Sequence, residues 1–263
     1  MKKKIKKYFK VWWLLSKNSF MSMLSNRLGS IFFLLGKLIR FFLYLLFIVV
    51  LLKGTNSLAG YNLNQTIFFY LTFNLIDICS QFLFREVYKF RPQIVEGSFD
   101  LVLSKPINAL FRSLLGGADI LDFFTIPPLI IALIFVSRGL NPGFFSIILY
   151  ILLVINSLII SAAFHIFVLA LGIVTLEIDH IVLIYRDLSN LGKFPIDIYK
   201  EPLKGFLTFI IPIGTMMTFP AKALMNLVTV KAVLISFFIG GLFIFLSIKF
   251  WNFALTKYSS ASS

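Results

Sequence analysis

REVYKFRPQIVEGSFDLVLSKPINALFR, residues 85–112, lies between two stretches that are each long and apolar enough to cross a bilayer. It carries five Lys and Arg residues, and Pro92, Gly97 and Pro106 interrupt it before a long helix can form. Between those breaks Ile94, Phe99, Leu101, Leu103, Ile107 and Leu110 recur at spacings that give short helices one apolar side. The segment is too long for a tight turn and too regular for a slack linker. It predicts a folded helical island at the membrane surface, hung between the second and third spans.

Outward from the island the chain is apolar. Of its 263 residues 59% are hydrophobic and 14% charged, about half the usual charged share of a soluble domain, and the mean hydropathy is +0.94. The 32 Phe residues and runs such as 31–52 meet the need for about 20 apolar residues to cross about 30 Å of hydrocarbon. Lipid offers backbone groups no partners, so the spans must be helices. The single cysteine, Cys79, excludes an intramolecular disulfide and any cysteine-cluster metal site. The expectation is one all-α membrane domain over 1–263.

The basic opening, MKKKIKKYFK, is followed only near Ile31 by a long apolar run, and that run exceeds the 7–15 residues of a cleavable signal core. The segment is therefore expected to be retained. On a helical wheel Ile5, Tyr8, Phe9, Trp12, Leu15 and Met23 share one side and Lys6, Lys10 and Lys17 the other, although Val11, Trp13 and Leu14 blur the stripe. This predicts an interfacial helix over 1–28. Its lysines would face anionic membrane lipid, at roughly 1 kcal/mol each near the surface.

Hydropathy places spans at 31–52, 66–84, 113–136, 144–174 and 231–251, and leaves 176–230 with two readings. In the first, 176–204 is a loop on the island's side and 206–220 is the fifth span. In the second, 175–191 is the fifth span, and 200–226 enters the outer face and returns. Both make six spans with the two chain ends on one side. The first puts 19 Lys and Arg on the island's side against 4 opposite; the second puts 15 against 7. Either way, the positive-inside rule makes the island and both ends cytoplasmic. Charge favours the first reading. Length favours the second, since 206–220 gives only about 22 Å of helix and Pro212 interrupts it. We adopt the second, with 85–112 as a cytoplasmic segment and 200–226 as re-entrant; Arg186 and Asp187 then need protein partners or a place near an interface.

The order of these features resembles the type-2 ABC exporter permeases. RPQIVEGSFDLVLSKPINALF is similar to their cytoplasmic coupling segment, in which a Gly and an acidic residue precede a Leu-x-x-Pro step, here Gly97, Asp100, Leu103 and Pro106. GKFPIDIYKEPLKGFLTFIIPIGTMMTFPAKAL resembles their outer re-entrant region, with Gly192, Pro195, Pro212 and Pro220 at its bends, and FWNFALTKYSSASS resembles the C-terminal end of one permease subfamily. The resemblance implies a subunit without chemistry of its own, needing no cofactor. It would dock on a separate ABC ATPase and face a second permease, itself or a related chain, in a prokaryotic plasma membrane. On that reading Arg91, Glu96, Gly97, Phe99, Asp100, Lys105 and Pro106 form the ATPase-coupling surface. Consistently, the sequence contains no G-x-x-x-x-G-K-[ST] phosphate loop.

Other charged residues carry competing readings. Lys37 and Arg40 lie three apart on the first span, and Asp119 and Asp122 three apart on the third, so each pair shares a helix face. With Asp77 on the second span they could form a buried charge cluster. Alternatively, and the favoured reading, the cations snorkel to headgroups while the aspartates sit at a helix N-terminus. Intramembrane carboxylates would also serve a secondary transporter or channel, or a proton relay, without an ATPase. Pro127 and Pro128 predict a kink in the third span, and Ser157, Ser161 and Ala162 a small-residue packing edge. His165 reads as a packing residue; a lipid-modifying enzyme would need it, or Asp179 and His180, to converge on a cleft. The +14 net charge follows membrane orientation rather than nucleic-acid binding, and there is no HExxH, CxxC or Ser/His/Asp pattern. Cargo is not legible in the composition.

Overall fold

A computed structural model describes residues 2–25, 27–176 and 178–259. The side chain of Met23, expected in the N-terminal apolar stripe, and the last four residues of the tail lie outside the described residues. In chain order the helices begin with α1 (Lys2–Ser25), α2 (Arg27–Thr55) and α3 (Leu63–Phe84). A 3-10 turn (Arg85–Lys89), α4 (Phe90–Val95), α5 (Phe99–Leu103) and α6 (Ala109–Leu115) make the island. Then come α7 (Ile120–Arg138), α8 (Phe144–Thr175) and α9 (Ile178–Asn190), a bent pair α10 (Leu203–Ile210) and α11 (Gly214–Leu224) meeting at 80°, and α12 (Val230–Lys257). No strand occurs among the described residues. The chain is an all-α membrane protein.

Helices α2, α3, α7, α8 and α12 are each long and apolar enough to cross a membrane, and the bent pair makes a sixth candidate if counted as one span. Helix α9 has 13 residues, about 20 Å of rise. The expected third span, 113–136, is divided: α6 ends at Leu115 and α7 starts at Ile120. The reason is local. A Cβ on Gly116 would overlap the backbone and side chain of Arg112, and Asp119 restarts the helix by accepting the Leu121 amide hydrogen bond at 3.0 Å.

Helix α8 is the central post, packed against α12, α3, α9 and α11. With lipid as solvent, hydrophobicity cannot hold helices together, so small and polar residues do it. Asn156 of α8 donates to the Ser236 carbonyl of α12 at 2.9 Å and to its Oγ at 3.0 Å, and Gly240 leaves room for that amide. On the predicted small-residue edge, Ser157 donates to the Met216 carbonyl of α11 at 2.6 Å, and Ser161 contacts Ser80 of α3. Gly240→Val is therefore expected to displace Asn156 and wedge α8 from α12, costing about 1–3 kcal/mol. Thermal unfolding in detergent checks this; an unchanged midpoint would contradict it.

At one end of the bundle Phe84, Val87, Phe90, Ile94 and Phe99 share a core with Leu169 and Ile173 of α8 and Trp251 of α12. The island is thus packed onto the helix ends rather than tethered to them. Helix α1 lies along the same end: Tyr8 meets Phe111 edge-on at 4.7 Å, its hydroxyl accepts from the Asn108 amide at 3.2 Å, and Ser16 accepts from the Ala118 amide at 3.1 Å.

Candidate functional site

Sequence and fold mark three places: the island, a cavity within the bundle and a charge knot at the far end. In the island, Glu86 is 6% exposed, accepts Arg112 at 2.6 Å and lies 4.0 Å from Lys89. That buried pair ties the 3-10 turn to α6, and nothing in the sequence pattern singled out Glu86. Gly97 has φ +73, a conformation glycine adopts without strain, and it turns the chain between α4 and α5. Phe99 differs from its expected role as a surface contact: it is 0% exposed, enclosed by Phe90, Trp251 and Tyr258. Asp100 accepts the Tyr258 hydroxyl at 2.9 Å, and Arg91 lies 3.5 Å from Asp179 at the start of α9. Glu96 and Lys105 are exposed, and the exposed Pro106 accepts Lys7 Nζ at 3.0 Å on its carbonyl. Around them Val95, Leu101 and Leu103 are exposed. A groove of about 350 Å³ between α1 and the island is lined by Val11, Leu15, Leu101 and Lys105.

Of the intramembrane charges, Lys37 turns to Asp122 rather than along the helix, and the pair joins α2 to α7 with the Asp122 side chain fully buried. Asp119 caps α7 and lies 3.4 Å from Arg85. Asp77 accepts Gln81 at 2.7 Å and lines a cavity of about 470 Å³ between α2, α3, α7 and α9. Arg40, Arg186 and Lys193 line the same cavity. Pro127 and Pro128 lie inside α7, with Pro128 at the cavity wall. His165 is buried between the rings of Phe84 and Tyr185, its Nδ1 2.8 Å from the Ser161 carbonyl oxygen. Among the described residues no group of three or more His, Cys, Asp or Glu side chains is placed to hold a metal.

At the end opposite the island, Asp197 accepts Lys222 at 2.6 Å, Lys204 at 2.9 Å and the Tyr61 hydroxyl at 2.8 Å. Lys204 belongs to α10 and Lys222 to α11, so both arms of the bent pair return to one carboxylate. Pro195 precedes this knot, Pro212 sits in the break between the arms, and Pro220 is buried inside α11. Burial alone would raise the Asp197 pKa, but hydrogen bonds from Lys222, Lys204 and Tyr61 outweigh it and hold the carboxyl at about 2. A depressed carboxyl pKa stabilises the fold above the unfolded value of 3.8 and loses that effect as pH falls toward about 2. Asp197→Asn is therefore expected to cost of the order of 2 kcal/mol, constant from pH 7 to about 4 and shrinking below that. Unfolding midpoints of the two proteins against pH check it; a difference that grows on acidification would contradict it.

The family model described as ABC-2 family transporter protein matches residues 38–262, from the middle of α2 through the island, the cavity and the charge knot to beyond α12. Comparison with curated proteins and with solved structures gave no match. The match covers well over half of the chain and includes every span after α2, and the all-α bundle agrees with it. This chain belongs to the ABC-2 transporter family, whose members are the membrane components of ABC transporters.

Proposed function

We propose that the chain is the permease subunit of an ATP-driven exporter, forming the membrane pathway and coupling to a separate ATPase through the island. The family's membrane subunit is not itself the ATPase, which leaves hydrolysis to a partner. One observation carries the reading: the island shares a hydrophobic core with the ends of α8 and α12, while its outer side presents Val95, Leu101 and Leu103 beside Glu96 and Lys105. Force applied there reaches two spans without passing through a loop. Phe99, Gly97 and Asp100 hold the island's shape, and contact falls to the exposed residues, Arg91, Glu96, Lys105 and Pro106 among them. The island and both ends of the chain are cytoplasmic by the Lys and Arg asymmetry, in a prokaryotic plasma membrane.

The topology proposed is six spans, with α9, continued by the 3-10 turn Leu191–Lys193 to about 26 Å, as a short fifth span and α10–α11 re-entrant from the outer face. Convergence of Lys204 and Lys222 on Asp197 supports it, since a crossing segment would carry them to opposite faces. A cysteine at Lys200, in a Cys79→Ala background, is expected to react with an impermeant maleimide added outside; reaction only after the membrane is opened would favour 206–220 as the crossing segment. Helix α2, only 6% buried across its most apolar stretch, supports a second permease on that side.

The test of function is purification from the native membrane in mild detergent. A Walker-motif ATPase is expected to come with the chain, and the same sample identifies the second permease as this chain or a related one. A chain recovered alone that still drives flux on an ion gradient would replace this reading with the secondary transporter, which Asp77 in the cavity wall favours.

A further inference from the structure

We propose that the cavity between α2, α3, α7 and α9 is a binding site for an anionic amphiphile, its headgroup held by Arg40 and Arg186 and its tail by the apolar wall. The cavity, about 470 Å³, has one carboxylate in its lining, Asp77, against four cations, Lys37, Arg40, Arg186 and Lys193. Gln81 donates to Asp77, and Lys37 is already engaged by Asp122. Neither Arg40 nor Arg186 has an ion-pair partner among the described residues. Lys193 lies over the Tyr44 ring at 5.1 Å and is close enough to Arg40 to be repelled by it. Asp77 lies within electrostatic reach of Lys37, Arg40 and Arg186 alike, so one carboxylate is shared among several cations, and the excess positive charge at membrane depth is costly without a further anion.

The chemistry of that partner follows from the wall. Arginine offers paired N–H donors that match phosphate and carboxylate oxygens. Leu34, Leu38, Phe42 and Phe124 supply apolar lining beside the cations, so the ligand carries an alkyl or aromatic part as well as an anion. Lys37, Arg40 and Tyr44, with Lys193 above it, spread over about 10 Å of helix rise. An anionic headgroup would therefore meet successive cations along the membrane normal. The carboxylates on α3 and α7 do not turn the cavity toward a cationic ligand: Asp122 is engaged by Lys37, and Asp77 is outnumbered.

The ligand is either cargo or a resident lipid with the same chemistry. That it is cargo rests on the exporter reading; that it binds does not. The experiment uses the purified full chain without nucleotide, incubated with equal amounts of phosphatidylglycerol and phosphatidylcholine bearing identical acyl chains. Native mass spectrometry reads what is retained. The chain is expected to retain phosphatidylglycerol at least tenfold over phosphatidylcholine, and Arg40→Gln with Arg186→Gln to abolish the preference. Lys53→Gln with Lys231→Gln, which removes the same charge from exposed positions on α2 and α12 outside the cavity, is expected to leave it intact. No headgroup preference in the unaltered protein, or a preference that survives in the arginine variant, overturns the site. A photoreactive phosphatidylglycerol that labels residues 34–44 or 185–193 of the unaltered chain supports it without any variant, and labelling confined to other helices overturns it. Adding the ATPase and ATP lowers the retained lipid if the occupant is cargo and leaves it unchanged if it is resident. Lipid retention with no ATPase recovered from the membrane would sink the exporter reading and keep the site.

Discussion

Lys37→Met is expected to destabilise the protein by about 3–5 kcal/mol, because it leaves the Asp122 carboxylate buried in the membrane without a counter-charge. Asp122 is 0% exposed, its Oδ1 is held by Lys37, and its Oδ2 has no hydrogen-bond partner. Among the described residues no other cation pairs with Asp122, and Arg85 is directed to Asp119. Removing both charges has a different consequence. A buried ion pair exchanged for packed apolar groups is often neutral or stabilising, so adding Asp122→Leu is expected to recover most of the loss. Denaturant or thermal unfolding in one detergent gives both values. Equal destabilisation of the single and double variants would mean that the pair contributes by packing alone, and a neutral Lys37→Met would mean that the pair is not formed in the membrane.

The second large effect is on coupling. Glu96→Lys with Leu101→Asp is expected to leave insertion and folding intact while reducing stimulation of the co-purified ATPase to the level of the ATPase alone. Both residues are exposed, with Leu101 at 63% on the rim of the groove beside α1, and neither belongs to the island core. Truncating a central apolar anchor of an interface costs about 2 kcal/mol or more, about 30-fold in Kd, and introducing a charge there costs further. Asp100 is the wrong position for this test, because its bond to Tyr258 makes Asp100→Lys a structural lesion. ATP hydrolysis by the reconstituted complex, measured at equal protein recovery, decides it. Unchanged stimulation would remove this surface from the mechanism.

That the chain is helical with five to six apolar spans was legible in the sequence because it is written in local pattern, although the run at 113–136 is divided between α6 and α7. A long apolar run has one outcome in lipid, and Gly97 and Pro106 lie between the island's helices as expected, whereas Pro92 is accommodated in the first turn of α4 instead of breaking it. What the pattern could not give was partnership across distance. Phe99 has the apolar spacing of an anchor whether it points to a partner protein or to Trp251; only the return of α12 to the island decides. The break at Gly116–Asp119 depends on Arg112 filling the space a side chain would need, which apolar periodicity across 113–136 conceals. Lys37 and Asp122 are 85 residues apart, so snorkelling and pairing were equally compatible with their helix positions. Arg186 was flagged as needing a partner, and the fold puts it in the wall of the cavity shared with Arg40, within electrostatic reach of Asp77 on α3. The convergence of Lys204 and Lys222 on Asp197 had no signal at all in the sequence, because three separate segments meet there.

The most direct test of the central claim is photo-crosslinking from position 101 in native membranes, with a photoreactive residue in place of Leu101 and a second chain carrying it at Lys204 on the opposite face. The account requires that position 101 capture the ATPase and that position 204 not do so. An ATPase captured from position 204 but not from 101, or from neither, would contradict coupling through the island.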